Sequence, residues 1–116
     1  MRNMSFMLTT EQVRLQSKDV TRRLGWWNIM RGELVQACLQ CQGLKKGETI
    51  TKLCVIKILD ARAEPLDRIT AADVVREGFP NLTRRQFIDL FCRANKCRPD
   101  TVVNRIEFEY VKGVGS

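Results

Sequence analysis

The chain has 116 residues, and its 44% hydrophobic and 28% charged residues are typical of one globular domain with one core. No apolar run is long enough to span a bilayer and the first residues lack a secretory-signal pattern, so we expect a single cytoplasmic domain over residues 1–116. The net charge of +7 favours polyanionic partners such as RNA or nucleotides, and the absence of histidine excludes serine–histidine and cysteine–histidine catalysis.

The first half of the chain predicts a short helix followed by three strands. Thr9 and Gln12 have capping-box spacing and predict a helix that runs to about Gln16. The strands are predicted over residues 19–24, 34–39 and 53–59, with a turn at 31–33 and a polar connection at 43–48. Residues 53–59 are apolar on both faces, so we expect this strand at the centre of the sheet.

The second half predicts two helices. Thr70 caps the first, with Asp73 at the reciprocal position, and Gly78 ends it. Thr83 and Gln86 cap the second. One apolar stripe runs along this second helix, formed by Phe87, Leu90, Phe91 and Ala94.

The end of the chain predicts one more strand. Residues 102–110 alternate between apolar and polar side chains, and residues 112–116 are expected to fray. The order of elements is helix, strands, two helices and strand, without regular strand–helix alternation. It predicts an α+β fold, a small mixed β-barrel flanked by helices.

The positive charge is concentrated in two segments. Six basic residues lie in residues 1–31 and five in residues 84–98. These segments form either one positive face or two separate solvated faces. Acid–base chemistry in a chain without histidine falls to Lys, Glu, Asp, Tyr or Cys.

A candidate site lies in residues 17–23, where the first helix gives way to a strand. Lys18 and Thr21 are close enough in the chain to reach one pocket, and Thr21 and Arg23 share a face of a strand. A lysine, a hydroxyl and a guanidinium together suit an anion or a polar carbonyl. The alternative is an exposed, solvated edge strand.

Glu77 is a second candidate because it breaks a local rule. A carboxylate in the last turn of a helix opposes the helix dipole, which favours cations there. Such departures mark functional residues. The alternative is an ordinary surface glutamate.

Two further features bear on binding and on metals. Trp26 and Trp27 lie near several arginines and offer a base-stacking platform, although at least one of them is expected in the core. Cys38 with Cys41, and Cys92 with Cys97, leave open a site with four thiolates for zinc. The wide spacing of the second pair favours reduced cysteines, and we expect no metal and no cofactor.

The candidate residues resemble the motif of the ASCH domains in the PUA-like superfamily, which reads GxKxxTxR. Lys18, Thr21 and Arg23 match it, while Ser17 stands at the glycine position. The similarity continues through three further segments, residues 31–34, 69–79 and 105–108. In overall look, the chain is similar to short ASCH proteins of phages and prophages.

The resemblance implies a barrel with a cleft that binds RNA or nucleotides. One branch of the family hydrolyses the acetyl amide of acetylated cytidine with a Lys, a Thr and a Glu. Lys18 and Thr21 match the first two, and Glu77 matches the third by its place in the helix before a turn. Another branch is a ribonuclease.

On this resemblance, Thr21 is the nucleophile or positions a water, and Lys18 activates it or holds the carbonyl. Glu77 transfers the proton, and Arg23 holds phosphate or fixes the site. The contact surface is extended by Arg22, Trp26, Lys45 and Lys46. The alternatives are a ribonuclease, an RNA-binding module without chemistry, or a protein-interaction factor.

Overall fold

A five-stranded, mixed and curled sheet forms the frame of the protein, whose computed structural model describes residues 1–41 and 45–112. The strand order is β1-β3-β4-β5-β2, with β1 parallel to β3 and the other pairs antiparallel. The strands are β1 (Arg2–Ser5), β2 (Val20–Arg23), β3 (Leu34–Cys38), β4 (Lys52–Pro65) and β5 (Val102–Tyr110). The expected α+β class with a mixed barrel-like sheet is confirmed.

Within the described residues, three α-helices flank the sheet: α1 (Thr10–Arg14), α2 (Ala71–Arg76) and α3 (Arg84–Asn95). The capping box at the start of α3 is confirmed, because the Thr83 side chain accepts from the backbone of Gln86 while the Gln86 side chain accepts from that of Thr83. Thr70 caps α2 as predicted, accepting from the Asp73 amide. The Asp73 carboxylate does not complete a reciprocal cap, because two arginines bind it.

The prediction for the first helix is wrong in its cap and its length. A 3-10 turn (Met7–Thr9) precedes α1, and Thr9 makes no side-chain cap hydrogen bond. Gln12 instead donates from Nε2 to the carbonyl of Gly78, 3.3 Å away. The Gln12 side chain, which the capping-box pattern predicted at the helix end, therefore makes a tertiary contact with Gly78 instead.

The central strand is β4, which pairs with β3 on one side and β5 on the other. It is longer than the predicted 53–59, and a bulge between Ile58 and Asp60 interrupts its register with β5. Strand β1 has no counterpart in the prediction. The sequence Arg-Asn-Met-Ser carries no alternation, and the strand forms through its parallel pairing with β3.

Two hydrophobic clusters lie at the two ends of the β4–β5 pair. The first is inside the curl of the sheet, around Phe6, Ile58 and Phe108. The second packs α2 and α3 against the sheet, around Leu66, Phe87 and Val103. Helix α3 is thereby held beside the edge strand β2, and a cavity opens between them.

Some predicted features lie beyond this description. Positions 43 and 44 of the predicted connection and positions 113–116 of the predicted frayed tail are outside the described residues. Within residues 1–41 and 45–112, no helix combines the length and the apolar character that crossing a membrane requires.

Candidate functional site

The candidate residues border one cavity of about 280 Å³ between β2, the 3-10 turn and α3. Lys18, just before β2, and Thr21 and Arg23, within β2, line it on one side, and Glu77 lines it at the end of α2. Arg22 also borders it, so three cationic side chains and one carboxylate meet there. An excess of positive charge in a partly enclosed space suits an anion or the oxygen of a polarised carbonyl.

Lys18 and Glu77 form a buried ion pair. Lys18 Nζ donates to Glu77 Oε1 and to the Glu77 carbonyl, both at 2.8 Å. Their side chains are only 3% and 4% exposed, so the alternative of an ordinary surface glutamate is wrong. Burial lowers the pKa of Lys18 from its usual 10.5, and the neighbouring carboxylate opposes that shift.

The pair belongs to a longer buried network that sequence reasoning missed. Arg22 donates to Glu77 at 3.0 Å and to Asp73 at 2.7 Å, and Arg105 grips the same Asp73 through two bonds of 2.7 and 3.1 Å. The two arginines hold the pKa of Asp73 well below its usual 3.8. Arg22 Nε is buried and has no hydrogen-bond partner within the described part of the chain.

Thr21 and Arg23 are fixed together on the cavity side of β2. Arg23 Nε donates to Thr21 Oγ1 at 3.0 Å, and its guanidinium lies 4.7 Å above the centre of the Phe6 ring. Burial lowers the pKa of Arg23 to about 10, which leaves the group charged at neutral pH. Its two terminal nitrogens make no hydrogen bond to any described residue, so they can donate to a ligand.

The opposite wall of the cavity is apolar and comes from α3. The stripe of Phe87, Leu90, Phe91 and Ala94 borders the cavity, and Phe79 lies beside Phe87 with ring centres 5.8 Å apart. The structure thus brings together the two basic segments of the sequence. It is an apolar face of α3, however, that meets the cavity.

Three predicted contact residues lie away from this cavity lining. Trp26 packs against the core cluster inside the sheet, with the Arg2 guanidinium 4.8 Å from the centre of its ring. Trp27 is the exposed tryptophan, at 58%. Lys45 and Lys46 are exposed in the turn between β3 and β4.

The cysteines do not assemble into a metal site in the part of the chain that the structure describes. No three or more Cys, Asp or Glu side chains in it are placed to hold a metal ion. The alternative of a site with four thiolates is therefore not supported. Burial raises the pKa of Cys38 and of Cys92 to about 11, which keeps both thiols protonated at neutral pH.

No protein-family model matches the chain, and no curated protein matches its sequence. The fold, in contrast, is known. An ASCH domain from Lactobacillus crispatus JV V101 superposes with a TM-score of 0.60 at 13% identity, covering 94% of this chain and 78% of that domain. The protein has an ASCH-type fold. A protein from Enterococcus faecalis V583 described under the family model DUF984 shares this ASCH-type fold, with a TM-score of 0.64, 15% identity, and coverage of 96% and 76%.

The sequence held little signal for the residues that were missed. Asp73 looked like half of a helix cap, and Arg105 fell on the polar side of a strand that alternates normally. Their burial follows from the way that α2 covers the sheet. The wall of α3 was visible as an apolar stripe, but a stripe does not distinguish a cavity wall from a core.

Proposed function

We propose that the protein binds a nucleoside- or nucleotide-like molecule in the cavity between β2 and α3. The observation that carries the proposal is the convergence of Lys18, Thr21, Arg23 and Glu77 on one partly buried space. Arg23 is held in place by Thr21 and Phe6 while its terminal nitrogens stay available. Such a preorganised donor binds a carbonyl or phosphate oxygen with little loss of side-chain entropy.

The chemistry that these groups support best is hydrolysis of an acyl amide on the base. Thr21 or a water that it holds adds to the amide carbonyl and gives up its proton to the Glu77 carboxylate. Lys18 and Arg23 offset the charge that develops on the carbonyl oxygen. If Thr21 is the nucleophile, a water then hydrolyses the acyl-threonine ester in a second step and releases the carboxylic acid. Proton transfer through the Lys18–Glu77 pair delivers a proton to the leaving amine as the C–N bond breaks. Burial, which lowers the pKa of Lys18, makes this transfer easier near neutral pH.

The competing function is binding of RNA without chemistry, or with cleavage of its backbone. The available nitrogens of Arg23 and the exposed Lys45 and Lys46 are consistent with phosphate contacts. A binder of several phosphates weakens steeply as salt rises, whereas hydrolysis of an uncharged nucleoside hardly responds to salt. A protein-interaction factor shows neither RNA affinity nor nucleoside turnover.

The first experiment is turnover of N4-acetylcytidine by the purified protein, followed by chromatography of cytidine. Thr21→Val removes the hydroxyl and keeps the shape of a β-branched residue, and Lys18→Ala removes the cation. Lys57→Ala, at an exposed position of β4 that does not line the cavity, serves as the control. We expect the two cavity variants to lose at least about a hundredfold in rate, as general acid–base groups typically contribute.

Either result is informative. Turnover that survives both cavity variants contradicts this site. If the intact protein gives no turnover, RNA affinity measured across a salt series tests the competing function. If the protein binds no RNA at any salt concentration, the protein-interaction factor is the remaining alternative.

A further inference from the structure

One wall of the cavity is polar and carries the side chains of the proposed chemistry, while the opposite wall is apolar and has no role in that chemistry. The apolar wall consists of one face of α3, where the buried rings of Phe87 and Phe91 form its base, with ring centres 6.2 Å apart. Leu90 and Ala94 carry that face outward to the cavity mouth. Across the cavity, Met7 and Leu8 of the 3-10 turn are 57% and 63% exposed. On the α3 side, Leu90 is half-buried and Ala94 is exposed, so both sides present some accessible apolar surface.

We propose that α3 is the recognition wall for a single flat heterocyclic ring, which enters between α3 and the 3-10 turn with its polar end at Lys18 and Arg23. The inference rests on the proposed function and specifies its ligand. A planar ring covers the accessible apolar side chains of α3 and of the 3-10 turn and removes that surface from water. An aliphatic ligand makes favourable contacts only with the apolar wall, and a charged ligand makes them only with the polar wall.

The size of the cavity is consistent with a ligand that places one base in it. Its volume of about 280 Å³ lies just below the range of roughly 300–1,000 Å³ that is common for small-molecule sites. This volume is about what one nucleoside occupies, and we infer that one base enters the cavity. An RNA ligand must therefore present one unstacked base, as loops and strand ends do.

Asn95 is placed to read the edge of that ring. It borders the cavity at the end of α3, and its Nδ2 donates to the carbonyl of Phe91 at 3.0 Å, which fixes the amide plane. Its Oδ1 makes no hydrogen bond within the described residues. A fixed amide with an available acceptor suits the amino or imino group of a base.

The test pairs two tryptophan substitutions on adjacent residues of α3. Ala94→Trp fills the mouth of the cavity, while Arg93→Trp places the same side chain on a neighbouring exposed residue that does not line it. Both positions are exposed, so both variants should fold, which circular dichroism verifies. The affinities for N4-acetylcytidine, cytidine and uridine are measured by calorimetry.

We expect Ala94→Trp to weaken binding of every nucleoside at least about tenfold, and Arg93→Trp to stay within about twofold of the parent. Asn95→Ala should lower the preference between cytidine and uridine without removing binding of both. Unchanged affinity in Ala94→Trp, with normal binding by the parent, overturns the recognition wall and leaves the proposed function standing. Absence of nucleoside binding by the parent itself contradicts the proposed function and the wall together.

Discussion

Replacing Glu77 by Gln removes the negative charge that two buried cations share. Lys18 Nζ lies 2.8 Å from one carboxylate oxygen and Arg22 lies 3.0 Å from the other. The three side chains are at most 4% exposed, so water cannot replace the lost charge. Gln has almost the same shape, and the change therefore isolates the charge.

The expected cost is about 3 kcal/mol of unfolding free energy. Breaking a buried ion pair by removing one partner typically costs about 3–5 kcal/mol. The lower end applies here because Lys18 keeps the Glu77 carbonyl at 2.8 Å and Arg22 keeps Asp73 at 2.7 Å. A loss of about 3 kcal/mol leaves most domains folded, since their total stability is about 5–15 kcal/mol.

Urea denaturation followed by circular dichroism measures this loss as a lower midpoint at an unchanged slope. The matched control is Glu11→Gln, which makes the same chemical change in the exposed pair between Glu11 and Arg14. That control should change the free energy by less than about 0.5 kcal/mol, as exposed pairs do.

A cost below about 1 kcal/mol for Glu77→Gln would refute the buried network. A double-mutant cycle with Lys18→Met locates the effect. If the pair is the cause, the double variant is more stable than the sum of the single losses predicts. Additive losses mean that Lys18 and Glu77 do not interact.

Other parts of the fold give three further predictions. Because the pKa of Asp73 is held below its usual 3.8, its stabilising effect is complete above that pH and is lost as the pH falls further. Urea midpoints at pH 3 and pH 7 should therefore differ less in Asp73→Asn than in the parent, and an equal difference contradicts the assignment. Gly78→Ala should cost about 2 kcal/mol, because φ is +101° and the new Cβ meets Gln12 Cγ at 2.6 Å. Gly47→Ala, at φ +90° with open space around it, should cost measurably less in the same titration. Thr83→Ala removes the cap of α3 and should cost about 1 kcal/mol, and a thermal midpoint equal to the parent's contradicts that role.

Local signals were enough to predict α2, α3 and β5, because their caps and alternation lie within a few residues. The box at Thr83 and Gln86 is confirmed, and β5 covers the predicted residues. The same kind of signal failed at Thr9, because the Gln12 side chain donates a hydrogen bond to the carbonyl of Gly78, 66 residues away, and does not cap the helix. Propensity cannot anticipate such a tertiary competitor.

The sequence was enough to predict that the candidate site residues lie near one another, but not which side chains they contact. Lys18, Thr21 and Glu77 came from spacing and resemblance, and they do border one cavity. The partners of Glu77 lie 55 and 59 residues away, so its burial could not be seen in the sequence. β2 is an edge strand, as the alternative for residues 17–23 held. Its residues are nevertheless buried or half-buried, and Arg22 is bound by Glu77 and Asp73, so this segment is not a solvated face.

The pairing of β2 with β5 determines when during folding the cavity can exist. Paired residues in these strands are 81 to 87 positions apart, while β3 and β4 join residues at most 23 apart. Contacts between distant residues form late because they close long loops. Chains that have folded only their local hairpin and helices therefore carry no ligand site. A molecule that binds between β2 and α3 therefore stabilises only the completed fold, and occupancy of the cavity measures how many chains have completed it.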